Sequence, residues 1–282
     1  MAFPNLVLGQ ANLYEKPKIE AGVAGLNLYA PHYAGSNEYY NASLALPYAQ
    51  YRFKHIDMGS SNKLYYSFLE HLELSMSGSI QLPVSTEDED ASRPSEIDDP
   101  NAEIVRGKSY RRRGMADRSW VFGLGMKLSW IPNEYLTLEV NNLYNSTIFS
   151  GSPNYVGNSY RPRIIWSVLG EDQKLRLRLS YSRKFADLTY QQYYYEVSED
   201  DMLEDRPAYK AKSGLHSETI GGLLFVNLFE KLNVGVSISQ TDITRAANVD
   251  SPLVVKEKSV SRTIFFAYSI WQSKEMVMRS ER

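Results

Sequence analysis

The chain has 282 residues, 31 Lys+Arg against 33 Asp+Glu, a formal net charge of -2, four His and no Cys. The absence of Cys excludes a thiolate nucleophile, an iron–sulfur cluster and a disulfide framework, and four His leave little room for a multi-histidine metal site. The balanced charge lends no support to a nucleic-acid partner, and no run approaches the roughly 18 apolar residues that a helical membrane span needs.

The start, Met1-Ala2-Phe3-Pro4-Asn5, has no basic segment leading into an apolar one. A signal peptide is therefore absent, and the chain is either cytosolic or written in its mature form. The stretches Ile19–Tyr33 and Ser43–Ile56 are β-rich, with blurred alternation. From Leu64 to Val84 the pattern is clear: even positions run Leu72, Leu74, Met76, Gly78, Ile80, and odd positions run His71, Glu73, Ser75, Ser77, Ser79. Period two with one apolar and one polar face marks a β-strand. The same alternation recurs at Trp120–Trp130, Leu136–Val140, Leu175–Tyr181 and Leu232–Ile238. Tyr160–Leu169, Ser217–Glu230 and Val260–Trp271 are weaker candidates. No capping box introduces a long helical stretch.

Ten strands result, and their connections alternate in length. The long ones are 34–42, 85–117, 149–159, 191–216 and 246–259. The short ones are 57–63, Pro132–Glu134, Gly170–Gln173 and the turn around Lys231. Outer-membrane barrels show this segregation, with long outer loops and short periplasmic turns. Several polar faces are Ser, Gly, Asn and Thr with scattered charge, which suits a crowded lumen. The expected fold is all-β: a transmembrane antiparallel β-barrel of about ten strands, with twelve or eight as alternatives. Residues 1–18 form an N-terminal periplasmic segment, 19–271 the barrel and 272–282 a C-terminal periplasmic tail.

Parity assigns Leu124, Leu128, Leu138, Leu177 and Val236 to lipid, and Glu73, Lys127, Glu139, Arg176 and Arg178 to the lumen. Inward charges either select a permeating solute or pair with one another and plug the barrel. Eight strands leave an interior just filled by side chains, so ten sits near the closed end. Aromatic girdles are expected from Trp130, Tyr135, Phe229 and Trp271 beside the turns and from Tyr29, Tyr33, Tyr160 and Tyr190 beside the loops.

The loop 85–117 opens acidic, from Glu87 to Asp90 and again at Glu96, Asp98 and Asp99. It closes basic, at Arg106, Lys108, Arg111, Arg112 and Arg113. The split either folds back as ion pairs or lets the arginines meet lipopolysaccharide phosphates. The simplest expectation is a solvated, mobile loop. The second acidic cluster, Glu196 to Asp205, lacks calcium-loop spacing. His32, His55, His71 and His216 are the available bases, and no G-x-S-x-G motif accompanies them. The chain is read as a non-enzyme with no metal and no cofactor.

The sequence resembles the MipA/OmpV family of outer-membrane proteins. The resemblance is carried by Tyr33-Ala34-Gly35-Ser36, Leu46-Pro47-Tyr48 and Tyr51-Arg52. It continues through Leu82-Pro83, Gly114-Met115-Ala116-Asp117, Tyr193-Tyr194-Tyr195-Glu196-Val197 with Tyr209 and Gly214, and Asp250-Ser251-Pro252-Leu253-Val254. These span about Ile19 to Trp271. The resemblance implies the outer membrane of a Gram-negative bacterium, with lipid and lipopolysaccharide around the barrel. It implies a scaffold linking a periplasmic murein transglycosylase to a penicillin-binding synthase. Other members are described as porin-like or as adhesins, so a narrow channel for small solutes and a surface adhesin acting through the loops are the alternatives.

Overall fold

The computed structural model describes residues 13–52, 57–58, 65–69, 71–148, 153–169, 175–229 and 231–280. His55, the turn Gly170–Gln173 and residues 1–12 lie outside the described residues. In chain order the strands begin with β1 (Leu13–Pro17), β2 (Ile19–Pro31), β3 (Glu38–Arg52), β4 (Asp57–Met58), β5 (Tyr65–Leu69) and β6 (Leu72–Gln81). The short pieces β7 (Ser85–Thr86), β8 (Ile104–Val105) and β9 (Lys108–Ser109) follow. Next come β10 (Trp120–Asn133), β11 (Leu136–Ile148), β12 (Tyr155–Ser167) and β13 (Leu175–Ala186). The helix α1 (Leu188–Tyr195) precedes β14 (Gly214–Phe229), β15 (Leu232–Asp242), β16 (Lys258–Gln272) and β17 (Met276–Ser280).

Twelve strands follow one another in a single sheet, in the order β4-β3-β2-β16-β15-β14-β13-β12-β11-β10-β6-β5. Every neighbouring pair in that path is antiparallel. The first and last long strands of the chain, β2 and β16, are hydrogen-bonded to each other. The path ends on β4 and β5, which are consecutive in the chain and separated by residues 59–64, outside the described residues.

The ten long strands sit where the alternation places them, but Leu64–Val84 is a hairpin rather than one strand. Tyr66 faces Leu74 and Ser67 faces Glu73 across it. Partners share a face, so the period-two signal runs through the turn unbroken. The turn residue His71 has φ 74° and no Gly, Pro or Asn marks it, which removes the usual signal. The N-terminal segment and the tail meet: β1 pairs antiparallel with β17 as a ribbon beyond β2 and β16. Lys18 and Glu275 join at 2.7 Å at its base.

One sheet face is apolar and exposed. On β10 it carries Trp120, Phe122, Leu124, Met126, Leu128 and Trp130, and across the sheet Ile220, Leu224, Ile238, Ile264 and Phe266 continue it. A continuous apolar surface this large marks a membrane or partner contact. Ten steps at about 3.3 Å give ~33 Å along β10, or ~25 Å across a layer at a tilt of about 40°. The other face is lined by small polar residues, of which Ser75, Ser129, Asn145, Ser159 and Ser182 are buried. In β2 the alternation blurs because adjacent Leu26 and Asn27 are both exposed.

The buried apolar core lies at the loop end of the sheet. Tyr33, Met115, Val121, Val156, Ala186, Tyr190, Tyr194, Tyr195, Val197, Ala211 and Leu253 form one buried cluster. It is built from the long connections and the loop ends of the strands, so these loops are a folded cap.

Candidate functional site

The cap starts from the helix. Asp187 is its N-cap, accepting from the Tyr190 amide at 2.8 Å. The same carboxylate accepts from the Asn158 amide at 2.7 Å and from the Tyr155 hydroxyl at 3.0 Å, so one residue starts α1 and ties it to β12. The close approach requires Gly157 (φ 121°), where a Cβ would fall 2.4 Å from Asp187 Oδ1 and from the Tyr190 amide nitrogen. No helical period is visible here because an eight-residue helix of mixed Tyr and Gln has no amphipathic stripe.

The helix faces inward across the loop end. The Tyr190 hydroxyl donates to Gln81 Oε1 at 3.0 Å, and the Tyr194 hydroxyl donates to the same atom from across the sheet path. Lys184 Nζ donates to the Tyr190 hydroxyl. Tyr195 reaches the Ala34 carbonyl at 2.8 Å, Tyr33 reaches the Leu253 carbonyl at 2.8 Å, and Ser251 returns to the Tyr195 carbonyl at 2.8 Å. Burial pushes the Tyr33 and Tyr190 phenols up to about 12, so both stay protonated as donors. Tyr33 and Tyr190 are therefore cap core, not girdle residues. Trp130, Tyr135, Phe229 and Trp271 are exposed near strand ends, as a girdle requires, whereas Tyr160 is exposed at mid-strand, the sixth residue of β12 opposite Asn142.

The charged loop is folded, not solvated. Arg106 pairs with Glu87 at 2.9 Å, Arg111 and Arg93 with Asp98, and Arg113 with Asp205 at 2.6 Å. Arg206, fully buried, donates from Nη1 to the carbonyls of Arg111 (3.1 Å) and Arg113 (2.8 Å). Its Nε and Nη2 donate to the Asp201 carbonyl at 3.1 and 2.6 Å. One guanidinium thus staples the two charged loops together. Arg111, Arg112 and Arg113 are buried and do not present a basic face to a lipid surface. Among the described residues no cluster of His, Asp and Glu is arranged to hold a metal ion.

The polar sheet face brings some expected residues together. Lys127 Nζ lies 3.7 Å from Glu139, and Arg163 Nη1 lies 3.5 Å from the same carboxylate. Glu73 sits opposite Ser129, which in turn faces Glu139. Arg176 lies apart, over the Phe225 ring at 4.3 Å, and Arg178 faces Leu223. Arg163 was missed because β12 alternates poorly in sequence around Pro162. Leu124 and Leu128 are exposed on the apolar face, and Leu138, Leu177 and Val236 are half-buried on the same rows.

Two of the four histidines are buried in the cap or its rim. His216 Nδ1 bonds to Gln191 Oε1 at 3.1 Å, and His32 Nε2 donates to the Arg106 carbonyl at 3.1 Å. Neither bonds to a serine among the described residues, so no nucleophile–base pair is built on them. Burial lowers His32 to about 4, against an ordinary value of 6.5. The unfolded loop takes a proton below pH ~6.5 while the folded one does not until about pH 4. Cap stability is therefore full above pH ~6.5 and falls by about 3 kcal/mol as pH drops to 4. Hydrogen exchange of the amides at 104–106 should quicken over that window, and His32→Gln should reduce the dependence, with buried His216, also lowered by burial, keeping its own share. An unchanged pH slope in His32→Gln would assign it to another group.

A model of the family described as MltA-interacting protein MipA matches residues 22–270. No curated protein matches the chain significantly. Among solved structures, a monoaromatic hydrocarbon channel, CymD, is similar at 10% identity and TM-score 0.37, with 92% of this chain and 90% of that one covered. A FadL homologue of Pseudomonas aeruginosa is similar at 10% identity and TM-score 0.33, with 83% and 61% covered. The N-terminal barrel domain of Pseudomonas aeruginosa OprF is similar at 9% identity and TM-score 0.28, with 54% and 88% covered. The fold rests on the strand registers and the family match.

Proposed function

Because the chain belongs to the MltA-interacting protein MipA family, we propose that it is a closed twelve-stranded barrel of the outer membrane, serving as a scaffold for a peptidoglycan-remodelling enzyme. The observation that carries this reading is the packed cap. An open diffusion pore needs a water-filled mouth, and here the loop end is occupied by buried Tyr, Arg and Leu side chains. In this reading β4 and β5, the two ends of the strand path, pair to close the wall. The apolar face, with Leu124, Leu128, Leu138, Leu177 and Val236, meets lipid. Glu73, Lys127, Glu139, Arg176 and Arg178 line the interior.

The short-turn end then faces the periplasm, and the β1–β17 ribbon stands there as the surface offered to a partner. The family description names MltA, and a murein transglycosylase is the partner we assign, with a penicillin-binding synthase recruited through it. The test is co-purification of the detergent-solubilised protein with a murein transglycosylase from the same envelope. Saturable capture supports the scaffold, and no capture by a folded barrel removes it. A second reading, a narrow gated channel, is favoured by the charged interior row of Lys127, Glu139 and Arg163. It predicts stepwise currents that change in the Arg176→Ala, Arg178→Ala variant.

A further inference from the structure

We propose that the cap binds a small oxyanion, a carboxylate or a phosphate, between the guanidinium groups of Arg112 and Arg118. Five arginines are buried in the cap: Arg111, Arg112, Arg113, Arg118 and Arg206. Three have partners. Arg111 and Arg113 hold Asp98 and Asp205, and Arg206 holds backbone carbonyls. Arg112 and Arg118, 2% and 8% exposed, are different. The Nε and Nη1 atoms of both are buried and have no hydrogen-bond partner. Among the described residues neither side chain forms an ion pair.

Their surroundings explain why a protein group does not fill the gap. Arg118 lies over the Tyr193 ring at 4.3 Å and the Tyr194 ring at 5.3 Å. Ring faces stabilise a cation but leave its in-plane N–H groups unsatisfied. The nearby phenols are directed elsewhere: Tyr33 to Leu253, Tyr193 to Ser119 and Tyr194 to Gln81. The two guanidinium groups also repel one another, and burial with that repulsion lowers Arg118 to about 9. Asp201 attracts Arg112 only from beyond ion-pair distance, two buried like charges without a close partner are costly, and water would satisfy donors without cancelling charge. Planar N–H forks match the paired oxygens of a carboxylate or phosphate. Burial on all sides restricts the ligand to a compact ion. The site lies where the cap meets the barrel rim, since the Arg118 backbone pairs with Val84 beyond β6.

The test uses the whole refolded protein in detergent micelles. Inorganic phosphate and acetate are titrated separately, with sodium chloride holding the ionic strength constant. Hydrogen exchange of amides 110–118 and the phosphorus NMR linewidth of phosphate are read. The wild type should show saturable protection and line broadening with at least one oxyanion, and the stronger one identifies the class. Arg112→Gln and Arg118→Gln should each weaken the response roughly tenfold or more, with exposed Lys108→Gln unchanged. If chloride matches both oxyanions in the wild type, the proposal is overturned, whatever the variants do. It is also overturned if folded Arg112→Gln and Arg118→Gln titrate like the wild type.

Discussion

Arg206→Ala should destabilise the cap by about 3–5 kcal/mol while leaving the strand content intact. The side chain makes four hydrogen bonds to three carbonyls on two loops, and none of these oxygens gains a replacement donor on truncation. Deleting it also removes a buried positive charge, which offsets part of the loss. The net sign stays unfavourable because the carbonyls of Arg111, Arg113 and Asp201 lose partners inside a packed region. Hydrogen exchange across 110–114 and 201–206 reads the change directly. Arg206→Lys should recover only part of it, because an ammonium cannot span both loops with a planar fork. Unchanged protection in Arg206→Ala would mean that the loops are held by other contacts.

Leu124→Arg should cost about 2–4 kcal/mol in a bilayer if the position lies near the midplane. Leu124 is 49% exposed in the centre of the apolar row of β10. Three residues on, Lys127 occupies the opposite face beside Glu139. Lys127→Arg keeps that charge and should be tolerated within about 1 kcal/mol. The contrast between neighbours on one strand isolates facing from strand propensity. Urea unfolding in vesicles measures both, and equal costs would place the lipid on the wrong face.

Much of the strand layout was legible because burial on one face enforces period two. Trp120–Trp130 and Leu232–Ile238 needed no structure to place. The same rule hid the turn at His71, since a tight hairpin preserves parity and His71 carries no turn signal. The cap was not legible. Tyr33 and Tyr190 look like rim aromatics in sequence, because position near a strand end says nothing about whether a loop folds over it. The charge split in 85–117 offered ion pairing within the loop as one reading, and the Arg106–Glu87 and Arg111–Asp98 pairs realise it. What it could not show was the long-range partner: Asp205 meets Arg113 from a loop 92 residues away. Nor could it separate Arg112, left without a carboxylate, from its paired neighbours on either side.

In the proposed barrel a packed cap closes the loop end. Single-channel recording of the refolded protein in a planar bilayer tests it most directly, beside Arg206→Ala as the loosened cap. A silent wild type is expected, with stepwise currents in Arg206→Ala. Stable, stepwise conductance in the wild type, from protein shown to be folded and inserted, would contradict it.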